Sequence, residues 1–188
     1  MATVGLRDLF YAKITEVTDE TSTKTTYDTP KRMAKAINAD LSVEVAEGKL
    51  HADDAVDEVE REFVGGTLTL GVNDISDEVQ ADLLGHTLAE DGTLYANADD
   101  AAPYVALGFR CKKPGGKFKY IWLYKVKFGE PSENYATKGE NITFNTPTIT
   151  GDIMRRPDDN NWKAQHTGLP SEAVPAAWFT AVKEPSET

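Results

Sequence analysis

The stretch 104–128 constrains the fold most strongly, because large aromatic and apolar residues recur through it. On a β-strand every second side chain projects to the same face. Six residues would therefore share one face of its second half: Phe118, Tyr120, Trp122, Tyr124, Val126 and Phe128. Between the two halves, Pro114 fixes φ while Gly115 and Gly116 tolerate positive φ, which favours a tight turn. The pattern predicts a β-hairpin that belongs to the core.

Alternation of apolar and polar residues also occurs in 9–16, 36–45, 63–72 and 140–150. The segment 36–45 is the most regular, so one of its faces is predicted to meet a core and the other to meet water or a polar cavity. The apolar set is Ile37, Ala39, Leu41, Val43 and Val45, and the polar set is Asn38, Asp40, Ser42 and Glu44. Short strands separated by turns predict a mainly β protein, an antiparallel sandwich or barrel.

One segment has helical periodicity instead. Its apolar stripe consists of Ile75, Val79, Leu83 and Leu84. Asp74 is predicted to cap the first turn, and Gly85 is suited to end the helix in the left-handed conformation. His86, directly after Gly85, is assigned a capping role. The sequence therefore predicts one α-helix on the flank of the β-structure.

The length of 188 residues predicts a single domain spanning 1–188. Within it, the strongly acidic segment 51–62 is predicted to be a projecting loop that contacts a partner or another copy, with a merely solvated loop as the alternative. The tail 170–188 contains three prolines and an isolated aromatic pair, Trp178 and Phe179. That pair is expected either to pack on the body of the protein or to dock on a neighbour.

The charge balance argues against a protein that grips DNA. With a formal net charge of −11, the chain lacks the clustered cations that phosphate contacts require. No apolar run approaches the roughly 20 residues that cross a membrane as a helix, and the first residues lack the pattern of a signal peptide. Synthesis in a cytoplasm is the expectation, and the single Cys111 fits it because no internal disulfide can form.

The sequence shows no recognisable reaction centre. His51, His86 and His166 lie far apart and match no metal-binding or catalytic spacing. The glycine-rich, nucleophile-elbow and paired-cysteine motifs are absent, and the densest carboxylates lie in a segment of low hydrophobicity, which is poor ground for raising a catalytic pKa. The prediction is a protein that is not an enzyme and binds no cofactor and no metal.

Residues 62–76 have the sequence EFVGGTLTLGVNDIS. This block resembles the major tail protein family of long, non-contractile phage tails. The opening VGLRDLFYA at 4–12 is similar to the start of that family, as are the acidic LHADD at 50–54 and the GFR at 108–110 that leads into the aromatic hairpin. The resemblance covers residues 5–157.

The resemblance implies a tail tube protein, a β-sandwich whose copies form hexameric rings that stack into a hollow tube. Genomic DNA would pass through the lumen without specific binding. Expected partners are further copies of the chain and other tail proteins, namely the tape measure, terminator and distal tail proteins. The protein would be made and assembled in the host cytoplasm and end in the virion, with no membrane involved.

Within such a tube, three groups of residues receive roles. Polar side chains of two strands would line the lumen: Asn38, Asp40, Ser42, Glu44, Thr67 and Thr69. The acidic segment would contact the next ring through Asp53, Asp54, Asp57, Glu58, Glu60 and Glu62. Its basic partners would be Lys112, Lys113, Lys117, Arg155 and Arg156. Like charge along the lumen would keep DNA from sticking to the wall.

Two other classes of protein remain open at this stage. One is another tail component that forms a single ring, such as a terminator or distal adaptor. The other is a β-sandwich module that binds a carbohydrate or a receptor. Polymerisation into long tubes distinguishes the tube protein from the single-ring components. Against the binding module, the predicted loops lack the clustered Trp and Tyr of a sugar-binding platform, because most aromatics lie in predicted strands.

Overall fold

The computed structural model describes residues 3–18, 23–52, 55–137 and 144–185. The described strands are β1 (Leu6–Thr18), β2 (Thr23–Tyr27), β3 (Lys31–Arg32), β4 (Ala36–Ala52), β5 (Ala55–Val72), β6 (Thr87–Leu88), β7 (Leu94–Tyr95), β8 (Tyr104–Lys112), β9 (Phe118–Phe128), β10 (Thr148–Met154) and β11 (Lys163–Gly168). The helices are α1 (Asp77–Leu84) and the four-residue α2 (Ala173–Ala176). The mainly β, antiparallel fold with one flanking helix is confirmed.

Nine of these strands form one sheet in the order β2-β1-β8-β9-β10-β5-β4, with β11 added to β9 and β3 added to β1. β6 and β7 form a separate short hairpin. The sheet curls, because β1 and β4 come into contact again although four strands separate them. The main core lies inside this curl and contains Leu9, Leu70, Leu107 and Leu123, with α1 contributing Leu83. The result is an open barrel whose interior is filled by side chains.

A second apolar cluster lies on the opposite face of β9, where the C-terminal segment covers Tyr120, Trp122 and Tyr124. Trp178 is buried there, and its carbonyl oxygen accepts a hydrogen bond of 2.9 Å from the Trp122 indole N–H. The Phe179 ring stacks on Phe10 with centroids 4.7 Å apart. Of the two expectations for this aromatic pair, packing on the body of the protein is the one observed.

The prediction that six alternating residues of β9 share one face is wrong. Val105 of β8 pairs with Val126 whereas Leu107 pairs with Leu123, so β9 carries one extra residue between these pairs. A bulge of this kind reverses the alternation of side chains. Tyr120, Trp122 and Tyr124 therefore face the second cluster, while Val126 and Phe128 face the main core.

The acidic segment forms a β-hairpin rather than a loop. β4 and β5 pair with each other from Ala36↔Val72 to Ala52↔Ala55, whereas β10 pairs with β5 only between 66 and 71. Residues 46–52 and 55–62 therefore pair only with each other among the described residues, and we call them the acidic arm. At about 3.3 Å per residue, its strands reach roughly 25 Å beyond the sheet. Local composition favours a loop, but cross-strand hydrogen bonding outweighs the low hydrophobicity here.

The start of the helix and the strand expected over 140–150 both differ from the sequence-based predictions. The helix begins after Ser76 in the N-cap position rather than after Asp74, whose carboxylate accepts a hydrogen bond from the Ile75 N–H. Gly85 ends the helix with φ of 82°, as predicted. The strand expected over 140–150 is displaced, because β10 begins only after Pro147, and residues 140–143 lie outside the described part.

Candidate self-assembly surface

An uncovered apolar strip runs along β4, at one edge of the sheet. Leu41 and Val43 pair with Leu68 and Gly66 of β5 and lie on the face of the sheet that meets the main core. Leu68 is fully buried, yet Leu41 and Val43 are 37% and 40% exposed, and Val45 is 51% exposed. Ala39 packs against the main core, so the prediction that this face of β4 meets a core within the chain holds there. It fails further along the strand, where Leu41, Val43 and Val45 are left exposed.

The opposite face of β4 and β5 is polar, and the six predicted lumen residues lie together on it. Asp40 pairs with Thr69, and Ser42 pairs with Thr67. The polar row continues onto β10, where Thr150 is opposite Thr69. Asn38 donates a hydrogen bond of 3.1 Å to Asp40, and Glu44 is exposed like both of them. Three adjacent strands thus carry one wet, partly acidic surface.

The acidic arm holds charges that are only partly balanced. Between residues 46 and 62 the sequence has seven acidic and two basic residues. Glu47 pairs with both of these bases, Lys49 at 2.7 Å and Arg61 at 2.9 Å. Glu58 and Glu60 are exposed and form no ion pair with any described residue. Two predicted contact residues, Asp53 and Asp54, lie outside the described residues, as does the side chain of Asp57.

The five predicted basic partners separate into three groups. Lys112, Lys113 and Lys117 flank the turn between β8 and β9. Arg155 lies beside the arm of its own chain, with its guanidinium 3.4 Å from the carboxylate of Glu62, the last predicted acidic contact. That ion pair is largely exposed, so its contribution to stability is small. Arg156 belongs to the interior of its own chain.

Arg156 is only 3% exposed and is held entirely by its own chain. Its guanidinium lies 2.5 Å from Asp159 and 3.2 Å from Glu184, and 4.4 Å from the centroid of the Tyr124 ring. The hydrogen bonds from Arg156 lower the pKa of Asp159 to about 2. Arg156 therefore joins the C-terminal segment to the sheet, which corrects its assignment as a partner for another copy.

The acidic arm and the basic turn project from the same end of the sheet. β5 and β9 run in the same direction, because each is antiparallel to β10. The tip of the arm precedes β5, and the turn at 114–116 precedes β9. In a head-to-tail stack, an arm would meet the opposite end of the next ring. The basic turn is therefore placed for neighbours in the same ring rather than for stacking.

His86 lies between two carboxylates of distant segments. The His86 ring bridges two segments, with Nδ1 2.8 Å from Asp100 and Nε2 3.1 Å from Glu130. The helix is capped by the Gly85 N–H, which donates to the Ala81 carbonyl, so the capping role expected for His86 is wrong. Within the described ranges, no three His, Cys, Asp or Glu side chains are grouped closely enough to hold a metal ion.

Two lysines that sequence reasoning passed over lie on the paired strands β9 and β11. Lys119 of β9 is partly buried, and so is Lys163, whose Nζ lies 4.6 Å from the centroid of the Trp162 ring. Sequence alone gives little signal for this pair, because the two residues are far apart in the chain and lysine is usually a surface residue. The pairing of β11 with β9 places them on neighbouring strands, with Lys163 opposite Leu123 and Lys119 opposite Thr167.

Compared with known proteins, the sequence matches no family model. No curated protein is significantly similar to it either. In the part of the chain that the structure describes, no helix is both long and apolar enough to span a membrane. A proposal for the function therefore rests on the geometry and the sequence pattern of this chain.

Proposed function

We propose that this chain is a structural subunit that assembles with copies of itself into stacked, hexameric rings, as the major tube protein of a long, non-contractile phage tail. The observation that carries the proposal is the state of β4. This strand is exposed on its polar face and, from Leu41 to Val45, on its apolar face, and its outer edge has no partner strand among the described residues. A second copy would cover the surface that a single copy leaves exposed.

An edge strand with unpaired backbone groups and exposed apolar side chains favours association with another chain. β4 has both features, with Leu41, Val43 and Val45 exposed along it. The other end of the sheet path is β2, which also has one free edge among the described strands. Joining such edges around a closed ring removes them from solvent, and ring closure limits growth to a defined number of copies.

The polar face of β4, β5 and β10 supplies the lumen wall in this proposal. It carries hydroxyl, amide and carboxylate groups, with Asp40, Glu44 and Asp152 exposed along it. Such a surface stays hydrated and offers few phosphate contacts, so it would let DNA move without retaining it. Lys127, opposite Asp152 on β9, is a cation on this face, and its Nζ lies 5.5 Å from the centroid of the Tyr104 ring.

The test is negative-stain electron microscopy of the purified protein over a range of concentrations, together with size-exclusion chromatography. We expect rings and hollow tubes of uniform width. Val43→Glu should abolish them because it places a charge in the apolar strip of β4. Leu88→Glu is the matched control, since Leu88 is also 40% exposed but lies on the separate β6–β7 hairpin. A wild-type protein that stays monomeric at every concentration would contradict self-assembly.

A second candidate, a receptor-binding or carbohydrate-binding module, has one observation in its favour. Tyr135 and Phe144 are 85% and 86% exposed, and Tyr135 borders a polar cavity of about 570 Å³ beside the start of α1. Exposed aromatics near a polar cleft suit a sugar ring. Glycan-array binding that is lost in Tyr135→Ala, with no tubes formed by the parent protein, would favour this function over the tube.

A further inference from the structure

The Tyr135 ring stands almost entirely in solvent, with 85% of the residue exposed. Its hydroxyl donates a hydrogen bond to Glu133, which is also exposed. An aromatic side chain carries a large apolar area, so leaving it in water forgoes the free energy of burying it. Tyrosine is also one of the residue types that most often anchor contacts between chains. Residues 133–135 thus present an exposed aromatic ring beside an exposed carboxylate.

A pocket of about 420 Å³ lies where the C-terminal segment meets β1 and β9. Its volume falls within the range of about 300–1,000 Å³ that is typical of ligand pockets. The walls are mainly apolar and aromatic, and they include Phe10, Tyr120, Pro175 and Phe179. One ion pair, formed by Asp8 and Arg110, belongs to the same lining. The pocket therefore suits an aromatic ring that has a polar group next to it.

The charged side of this pocket carries more arginine than carboxylate. Asp8 accepts hydrogen bonds of 2.6 Å from Arg110 and 3.1 Å from Arg32. Arg7 is directly opposite Arg110 in the pairing of β1 with β8. Like charges in opposite positions on neighbouring strands are destabilising, and guanidinium groups form strong hydrogen bonds with carboxylates. A further carboxylate brought to this side would therefore be stabilised.

The pocket and Tyr135 lie at opposite ends of the sheet. β1 and β9 run in the same direction because each is antiparallel to β8, so Asp8 and Tyr120 both lie near the end where these strands begin. Tyr135 follows the far end of β9, in the connection to β10. The strand from Tyr120 to Phe128 spans roughly 25 Å. In a head-to-tail stack, the connection of one copy would face the pocket end of the next copy.

We propose that this pocket receives the Tyr135 side chain of a copy in the adjacent ring, while Glu133 of that copy meets the arginines around Asp8. The inference rests on the self-assembly proposed above and names a contact between stacked rings. A second copy is the favoured occupant because one chain carries both complementary halves, one at each end. Contacts between unlike surfaces of identical chains repeat without closing, which is what growth of a tube along its axis requires.

Substitutions in the two halves provide the test. Y135A removes the ring, and A176W fills the pocket from its rim, because Ala176 is exposed and belongs to the lining. Each should raise the protein concentration at which tubes appear by roughly tenfold or more, the effect of losing an aromatic anchor. Single rings should persist, because their contacts lie elsewhere. Electron microscopy distinguishes rings from tubes, and circular dichroism establishes that each variant is folded.

Matched controls come from the same residue types. Tyr95 is 56% exposed on the β6–β7 hairpin, so Y95A removes an exposed tyrosine away from the pocket. Ala177 is exposed next to Ala176 but is not part of the lining, so A177W adds the same bulk beside the pocket. Both controls should form tubes at the wild-type concentration. Y135A/A176W should be no worse than the weaker of its single variants, because both substitutions remove one contact.

The outcomes separate this inference from the proposed function. Wild-type tubes together with normal stacking of Y135A and A176W would overturn the pocket contact and leave the tube proposal standing. Fully additive losses in Y135A/A176W would also overturn it, as would wild-type rings that never stack. If A176W does not fold, Y135A decides alone, since removing so exposed a ring should leave the fold intact. A wild type that never assembles overturns both proposals.

Discussion

The Phe63 ring lies flat on the Trp162 ring, with centroids 4.7 Å apart and planes inclined by 6°. Phe63 is the residue of β5 that pairs with Val45, immediately before the bulge at Val64. Trp162 directly precedes β11. The stack therefore joins the base of the acidic arm to the body of the protein at the point where the arm leaves the sheet.

Phe63→Ala should lower the free energy of unfolding by about 2 kcal/mol, because it removes a half-buried aromatic side chain and with it the stacking contact with Trp162. Chemical denaturation followed by tryptophan fluorescence measures the change. Assembly should weaken as well, since the arm loses its fixed base. Phe144→Ala is the control: that ring is almost fully exposed, and its removal should change stability little. Equal effects of the two variants would contradict a structural role for the stack.

Gly108→Ala should destabilise the protein by about 1–3 kcal/mol through overpacking. Gly108 pairs with Trp122, and a Cβ atom at this position would lie 2.7 Å from the buried indole ring. The matched control is Gly48→Ala in the arm, where a Cβ would meet nothing within 4 Å and the backbone has no positive φ. Gly48→Ala should be neutral or slightly stabilising. Thermal unfolding of both variants makes the comparison.

Asp82 of α1 should make the protein sensitive to acid. Burial alone would raise its pKa, but hydrogen bonds from Lys13, Lys31 and Tyr11 lower it to about 2. Its contribution, on the order of 2 kcal/mol, is therefore present above the unfolded pKa near 3.8 and is lost as pH falls towards 2. Asp82→Asn should reduce stability at neutral pH and flatten the acid limb of the stability curve.

Denaturation curves collected from neutral pH down to about pH 2 measure this dependence. Asp99→Asn is a suitable control, because Asp99 is exposed and forms no ion pair within the described residues. It should leave the acid limb unchanged. An Asp82→Asn variant with an acid limb as steep as that of the wild type would show that other carboxylates determine it.

His86 should make stability depend on pH in the opposite direction. The hydrogen bond to Asp100 raises its pKa, burial opposes this, and Glu130 raises it further. The stabilisation is complete below the unfolded pKa of about 6.5 and is lost as pH rises through the higher folded pKa. His86→Gln should therefore be destabilised most at mildly acidic pH and progressively less at alkaline pH.

Titration of the His86 ring protons by NMR tests the cause directly. Removing one carboxylate, in Glu130→Gln, should bring the midpoint closer to that of an unperturbed histidine while leaving the Asp100 contact in place. An unchanged midpoint would mean that Asp100 alone sustains the protonated ring. In either case the stability difference between wild type and His86→Gln has to narrow as pH rises.

The fold class was readable from the sequence because alternation and turn chemistry are local. The hairpin around Gly115 and Gly116, both of which have positive φ, and the helix end at Gly85 follow from such local rules. The two faces of β9 could not be assigned correctly from the sequence. An extra residue in β9 reverses the alternation, and a periodic pattern contains no signal for where a bulge will fall.

The position of the candidate self-assembly surface also depends on tertiary structure. Alternation in 36–45 indicates that one face is apolar, but it does not say whether the cover comes from the same chain or from another. Burial is decided by where the core ends, and here it extends to Ala39 of β4 and leaves Leu41 and Val43 exposed. Likewise, only the tertiary fold places the Arg156 guanidinium over the Tyr124 ring. The sequence determined the strands, turns and charge of this protein, because these are local properties, whereas contacts between distant residues determined which surfaces remain open.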